Sequence, residues 1–144
     1  MNDGEPENIQ LFNQFTALIL GRLYARHPIP TDIMIGHLTD QKPDISQPTT
    51  ARMRAHWPLE AQVAIHTIEW LEEQGYIRAG RKFPFGMADA RLTDRAWEIL
   101  RRPSSLEKSK TWGELLKKHG SQLLSKVVDR SLAELADLFR DNLG

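Results

Sequence analysis

The side chains that could do chemistry are five histidines, His27, His37, His56, His66 and His119, and a carboxylate cluster at Glu69, Glu72 and Glu73. The histidines are scattered, with none of the H-x-H or H-E-x-x-H spacings that place two imidazoles on one metal. On a helix His66, Glu69 and Glu73 share one face, but a metal there would meet one imidazole and two carboxylates. Zinc normally takes more nitrogen or sulfur ligands, so no metal site is expected. Glu72 and Glu73 are sequence neighbours and point in different directions on a helix, so they cannot share a substrate as acid and base. There is no G-x-S-x-G elbow, and the span from Gly80 to Gly86 lacks the lysine–serine sequel of a phosphate-cradling loop. Cysteine is absent, which removes disulfides, thiol nucleophiles and cysteine zinc sites. The expectation is a non-catalytic protein without metal or cofactor.

Residue types suited to binding are better represented. Gln62, His66, Glu69 and Glu73 fall on one helical face together with Leu59, Val63 and Trp70. Leu59, Val63, His66 and Trp70 follow at spacings of four, three and four, which aligns them on one side. A tryptophan ringed by polar groups has the makeup of a protein-binding hot spot. The same stripe is also what a central helix needs to pack beneath a neighbouring helix, since large apolar side chains are mostly buried. Phe83-Pro84-Phe85 places two aromatics on a turn, where they either fold back onto the helical tail or meet a partner. Arg52 and Arg54, with His56, form one basic cluster, and Arg78, Arg81, Lys82 and Arg91 form another. The second is a candidate for minor-groove or backbone contact; the first reads foremost as a solvated loop and only secondarily as a phosphate contact.

The totals bound the answer. A chain of 144 residues suits one domain. Its apolar share of 40% and charged share of 26% sit near the values of globular proteins. Nineteen basic and nineteen acidic side chains cancel to zero net charge. A dedicated nucleic-acid binder normally carries a basic surplus, because neutralising phosphates supplies most of its affinity. The start, MNDGEPEN, is unlike a signal peptide, and the longest apolar run, Ala17 to Leu20, is too short for a bilayer. A cytoplasmic protein without membrane contact is expected.

The elements that must position these residues can be read in order. Residues 1–7 are expected to form a short disordered lead. Ile9, Phe12, Phe15, Ile19 and Leu23, widened by Leu11, Leu18 and Leu20, predict a deeply buried helix over 8–26, ended by His27-Pro28. Pro28 to Pro30 makes an extended link, and Thr31 or Asp32 caps a brief helix through Leu38. Residues 39–56 are irregular, with Thr49 or Thr50 able to cap a turn containing Arg52, Met53 and Arg54. Pro58 opens a central helix with Ala61, Ala64, Ile65, Ile68 and Leu71 inward, and Gly75 caps it in left-handed conformation. Tyr76 to Ala79 and Ala88 to Leu92 pair as strands across a loop at 80–87. Thr93 caps the next helix, and Pro103 stops it. Thr111-Trp112-Gly113-Glu114 has the form of a capping box, with Lys117, Lys118 and His119 at the favourable end of that helix and Gly120 closing it. A further stripe, including Leu124, Val127, Val128, Leu132, Leu135, Leu138 and Phe139, serves docking onto the domain or dimerisation equally well.

From Ala64 to Leu100 the pattern resembles the winged helix-turn-helix superfamily. Leu71-Glu72-Glu73-Gln74-Gly75-Tyr76-Ile77 looks like the family's helix end, L-x-x-x-G-hydrophobic-I. Leu92-Thr93-Asp94-Arg95-Ala96-Trp97-Glu98-Ile99-Leu100 looks like L-T-x-x-G-x-x-x-L, with Ala96 at the usual glycine. The core is similar to MarR-type and PadR-type regulators and to uncharacterised bacterial and phage proteins with a helical tail. The resemblance implies a mostly α fold with a small β-hairpin wing, a winged-helix domain over 8–103, and a helical extension over 104–144. It also makes 58–74 the recognition helix. That helix holds no lysine or arginine and four glutamates, a charge that repels the phosphate-lined groove it would enter. The expected function is therefore protein recognition by a regulator subunit or immunity-type inhibitor, with a basic protein as partner. The contact is expected through the face of Gln62, His66, Glu69, Trp70 and Glu73, through the Phe83–Phe85 wing tip, or through both. The alternative is a DNA-binding regulator using Arg52, Arg54, Arg81 and Lys82. The oligomer is a monomer or a homodimer through the tail.

Overall fold

The computed structural model describes residues 6–41, 43, 53–104, 108–119, 135, 137 and 138, with backbone alone at 118 and 119. Arg52, Gly120 and the tail stripe apart from Leu135 and Leu138 lie outside the described residues. The architecture is mixed α/β, with four helices and a four-stranded antiparallel sheet among the described residues.

Helix α1, Glu7–Arg26, covers the span that its apolar spacing predicts and buries Leu11, Phe15, Ile19, Leu20 and Leu23. It packs against two further helices, α2 and α4, which span Leu59–Glu73 and Trp112–His119. The close fit against α4 depends on two glycines: a Cβ on Gly21 would crowd Leu116 at 3.2 Å, and one on Gly113 would overlap the Tyr24 ring. Pro58 is the N-cap residue of α2 rather than its first helical position. Inward-facing Ala61, Ala64, Ile65, Ile68 and Leu71 are all buried, and Gly75 follows with φ of 80°.

The brief helix expected from Thr31 is a strand. β1 spans Thr31–Met34, and only Ile35–His37 turns, as a single 3-10 turn. The reason is tertiary. β1 pairs antiparallel with β4, Gly86–Leu92, joining Thr31 to Ala90 and Ile33 to Met87, so its amides find partners in a ladder that local spacing cannot reveal. Ile33 is thereby placed in the core with no exposure.

The hairpin is also more regular than expected. β2, Ile77–Arg78, and β3, Arg81–Phe83, lie along the same edge of β4, and Phe83 pairs with Gly86. Most of the span from Gly80 to Met87 is therefore strand, and the turn shrinks to Pro84 and Phe85. Between β2 and β3 the Gly80 amide donates to the Ala88 and Asp89 carbonyls, at 3.0 and 3.2 Å. Asp89 opposite has φ of 56°, a bulge that re-aims the strand. Because β1 extends it, the hairpin is part of a larger sheet rather than a small appendage.

Helix α3, Asp94–Leu100, is capped by Thr93, whose hydroxyl accepts from the Ala96 amide at 3.3 Å. At α4 the expected capping box is present: Thr111 Oγ1 accepts from the Glu114 amide at 3.2 Å, and Glu114 Oε1 accepts from the Thr111 amide at 3.3 Å. The Thr111 amide, together with the Thr111 hydroxyl that donates to Glu114 Oε1 at 3.0 Å, holds the Glu114 carboxyl below its ordinary range. Leu135 is buried in the common core and Leu138 packs against it, so both described members of the tail stripe dock on this chain.

Candidate functional site

The carboxylates of α2 are mostly engaged inside the molecule. Arg54, on the 3-10 turn Met53–His56, brings Nη1 to 2.9 Å from Glu69 Oε2, and its Nη2 donates to the Pro84 carbonyl at 2.8 Å. Its guanidinium also lies 5.9 Å from the centre of the Trp57 ring. One side chain thus ties the irregular segment, α2 and the hairpin turn together. Lys82 of β3 places Nζ 2.9 Å from Glu72 Oε1. Glu60 accepts from the Thr39 hydroxyl at 2.7 Å. Glu73 is exposed and has no ion pair among the described residues.

The other expected contact residues divide in the same way. Gln62 Nε2 donates to the Trp57 carbonyl at 2.7 Å and so helps to hold the start of α2. His66 is exposed, its Nδ1 3.6 Å from Glu69 Oε1. Trp70 is half-buried, edge-on to Phe12 of α1 at 5.2 Å and tilted against Tyr76 at 6.2 Å. Phe83 and Phe85 stack on each other at 5.6 Å, and Phe85 packs against the core rather than standing free. Among the cations, Arg81 lies 3.5 Å from Asp89 with both side chains exposed, and its guanidinium lies 5.8 Å from the Phe83 ring.

An open groove of about 360 Å³ remains between the first turns of α1 and the outer side of α2. Its walls come from Asn8, Ile9 and Phe12 on one helix and from Leu59, Val63, His66 and Trp70 on the other. Leu59 is 43% exposed at this rim, one of the few large apolar side chains left in water among the described residues. Leu59, Val63, His66 and Trp70 thus share a face, as their spacing predicts. The contribution of Ile9 and Phe12 did not follow from the sequence, although both belong to the broad apolar stripe of α1. A stripe wider than one neighbour can cover is the signal that could have pointed to them.

Among the described residues no three of histidine, aspartate and glutamate are close enough to hold a metal ion. No described helix is long and apolar enough to cross a membrane. No protein-family model, no curated protein and no solved structure matches the chain.

Proposed function

We propose that this chain is a non-catalytic binding protein on a winged-helix frame, and that it recognises a protein partner through the groove between α1 and α2. The hairpin after α2, whose second strand pairs with β1, supports the frame, while the second helix of a helix-turn-helix is represented only by the 3-10 turn Ile35–His37. The observation that carries the functional reading is the groove itself, apolar within and rimmed by exposed Leu59, on a helix that presents no cation. Concave apolar surface beside a half-buried tryptophan suits an amphipathic segment that inserts one or two apolar anchors. Exposed Glu73 near that face favours a partner whose anchors are flanked by lysine or arginine. A regulator subunit or an immunity-type inhibitor would both work in this way.

The second reading is a DNA-binding regulator. Arg54 and Lys82 are already held by Glu69 and Glu72, so phosphate contact through them requires breaking those pairs. Arg81 is the freest of the described candidates, since its ion pair with Asp89 lies in water.

Two measurements test the reading together. Proteins retained by the immobilised chain are identified, and their binary affinity is measured with purified components against wild type and Leu59→Glu. Labelled random duplex DNA is titrated at low and moderate salt. The expected result is a partner whose affinity falls in Leu59→Glu, and no salt-sensitive DNA binding. Equal binding of every partner to both forms would overturn the proposal. So would salt-sensitive DNA binding lost on Arg81/Lys82 substitution, because non-specific phosphate attraction survives without a cognate site.

A further inference from the structure

Arg78 of β2 and Arg91 of β4 are partners across an antiparallel pair, so their side chains leave the same face of the sheet side by side. Both are exposed, and among the described residues neither has a carboxylate at ion-pair distance. The neighbouring hairpin cations differ: Arg81 and Lys82 each face an acid, at 3.5 and 2.9 Å. Like charges directly opposite each other destabilise a strand pair, and a guanidinium cannot lose its proton to relieve the repulsion.

The two arginines line an open pocket of about 290 Å³. His27 forms a flat wall, its ring stacked on Trp97 at 4.6 Å with the planes 19° apart. Thr93 also lines the pocket, but its hydroxyl is committed, donating to the Gly75 carbonyl at 2.7 Å and accepting from the Ala96 amide. Asp94 contributes the one carboxylate.

We propose that this pocket binds a phosphoryl group, as carried by a phosphomonoester, with Arg78 and Arg91 as paired guanidinium donors. Two fork-shaped cations match a dianion in charge and offer it parallel N–H donors, and binding removes the cross-strand repulsion. Asp94 opposes the anion and limits its affinity. The site is separate from the α1–α2 groove and stands or falls without it.

The test follows the arginine side-chain Nε–Hε resonances and the Leu92 and Thr93 amides by NMR. The full chain is titrated with inorganic phosphate, with O-phosphoserine, and with an end-blocked thymidine dinucleotide that carries only a phosphodiester, at constant ionic strength. Phosphate and phosphoserine should give saturable shifts, and the diester none. Arg78→Gln or Arg91→Gln should weaken phosphate by about tenfold, the loss of one charge-assisted hydrogen bond. Asp94→Asn should tighten it. Without phosphate, either arginine variant should unfold at the same or higher temperature than wild type, which separates lost binding from lost folding. Absence of saturable shifts, or shifts unchanged in the double arginine variant, would overturn the proposal. Diester binding as tight as phosphate would overturn it in favour of contact with a nucleic-acid backbone.

Discussion

The Arg54 guanidinium lies 2.9 Å from the Glu69 carboxylate and donates through its other terminal nitrogen to the Pro84 carbonyl at 2.8 Å. The acidic row on α2 therefore has an internal purpose. With Glu72 holding Lys82, it fixes the hairpin and the 3-10 turn against the helix. A helix that looks mischarged for a DNA groove is well charged for the basic segments of its own chain.

Arg54→Ala should destabilise the protein. The Arg54 side chain is 12% exposed and Glu69 31%, so the pair lies between the surface and the interior. Arg54 Nε is also buried without a partner among the described residues, which lowers the worth of the intact arrangement. We expect a loss of about 2 kcal/mol, above an exposed pair and below a fully buried one. Arg54→Lys should recover part of it, since lysine lacks the second donor arm for Pro84. Chemical denaturation of Arg54→Ala, Glu69→Ala and the double variant measures the coupling, and additive losses would contradict it.

Leu59 and Trp70 should separate binding from folding. Leu59→Glu changes an exposed rim position and should shift stability by no more than about 0.5 kcal/mol. Trp70→Ala removes the edge-on contact with Phe12 and should cost about 3 kcal/mol. Thermal unfolding of both variants beside the partner affinities decides this. If Leu59→Glu unfolded like Trp70→Ala, the rim would be part of the core.

Gly113→Ala sets two effects against each other. Alanine favours a helix over glycine by about 1 kcal/mol. At this position, however, the new Cβ would overlap the Tyr24 ring. Overpacking a tight contact costs about 1–3 kcal/mol, and against a rigid ring at such close range we expect the upper end. The net should be a loss of about 1–2 kcal/mol. A rise in the unfolding midpoint would show that α4 shifts freely.

His37 should make stability depend on pH. Partial desolvation and the nearby Arg22 charge hold the pKa of this exposed imidazole below the ordinary 6.5, with Asp32 acting the other way. Its Nδ1 accepts from the Met34 amide at 3.0 Å, a bond that protonation of Nδ1 removes. The unfolded chain therefore takes up this proton more readily than the folded one. The contribution is fully present above pH 6.5, declines as pH falls toward the lowered folded value, and is absent below it. The substitution His37→Asn keeps an acceptor for the Met34 amide and removes the titrating group. Unfolding free energies measured from pH 7.5 to about 5 should slope for wild type and flatten for His37→Asn. Equal slopes would assign the dependence to other groups.

What the sequence determined by itself is what short range controls. The limits of α1, the Thr93 cap, the left-handed Gly75 and the Thr111–Glu114 capping box each rest on hydrogen bonds or periodicity within a few residues. The alignment of Leu59, Val63, His66 and Trp70 is equally local, because helical spacing alone places them together. Tertiary structure decided the rest. Thr31–Met34 became a strand because its ladder partner is β4, far along the chain. Glu69 and Glu72 became internal counter-ions because Arg54 and Lys82 arrive from a loop and a strand that no periodicity links to α2. Phe85 turned inward for the same reason. Side-chain type states which charge a position carries, but only the packing of distant segments states which charge stands opposite it. That is why the acidic face of α2 was legible as a charge and not as a fastening.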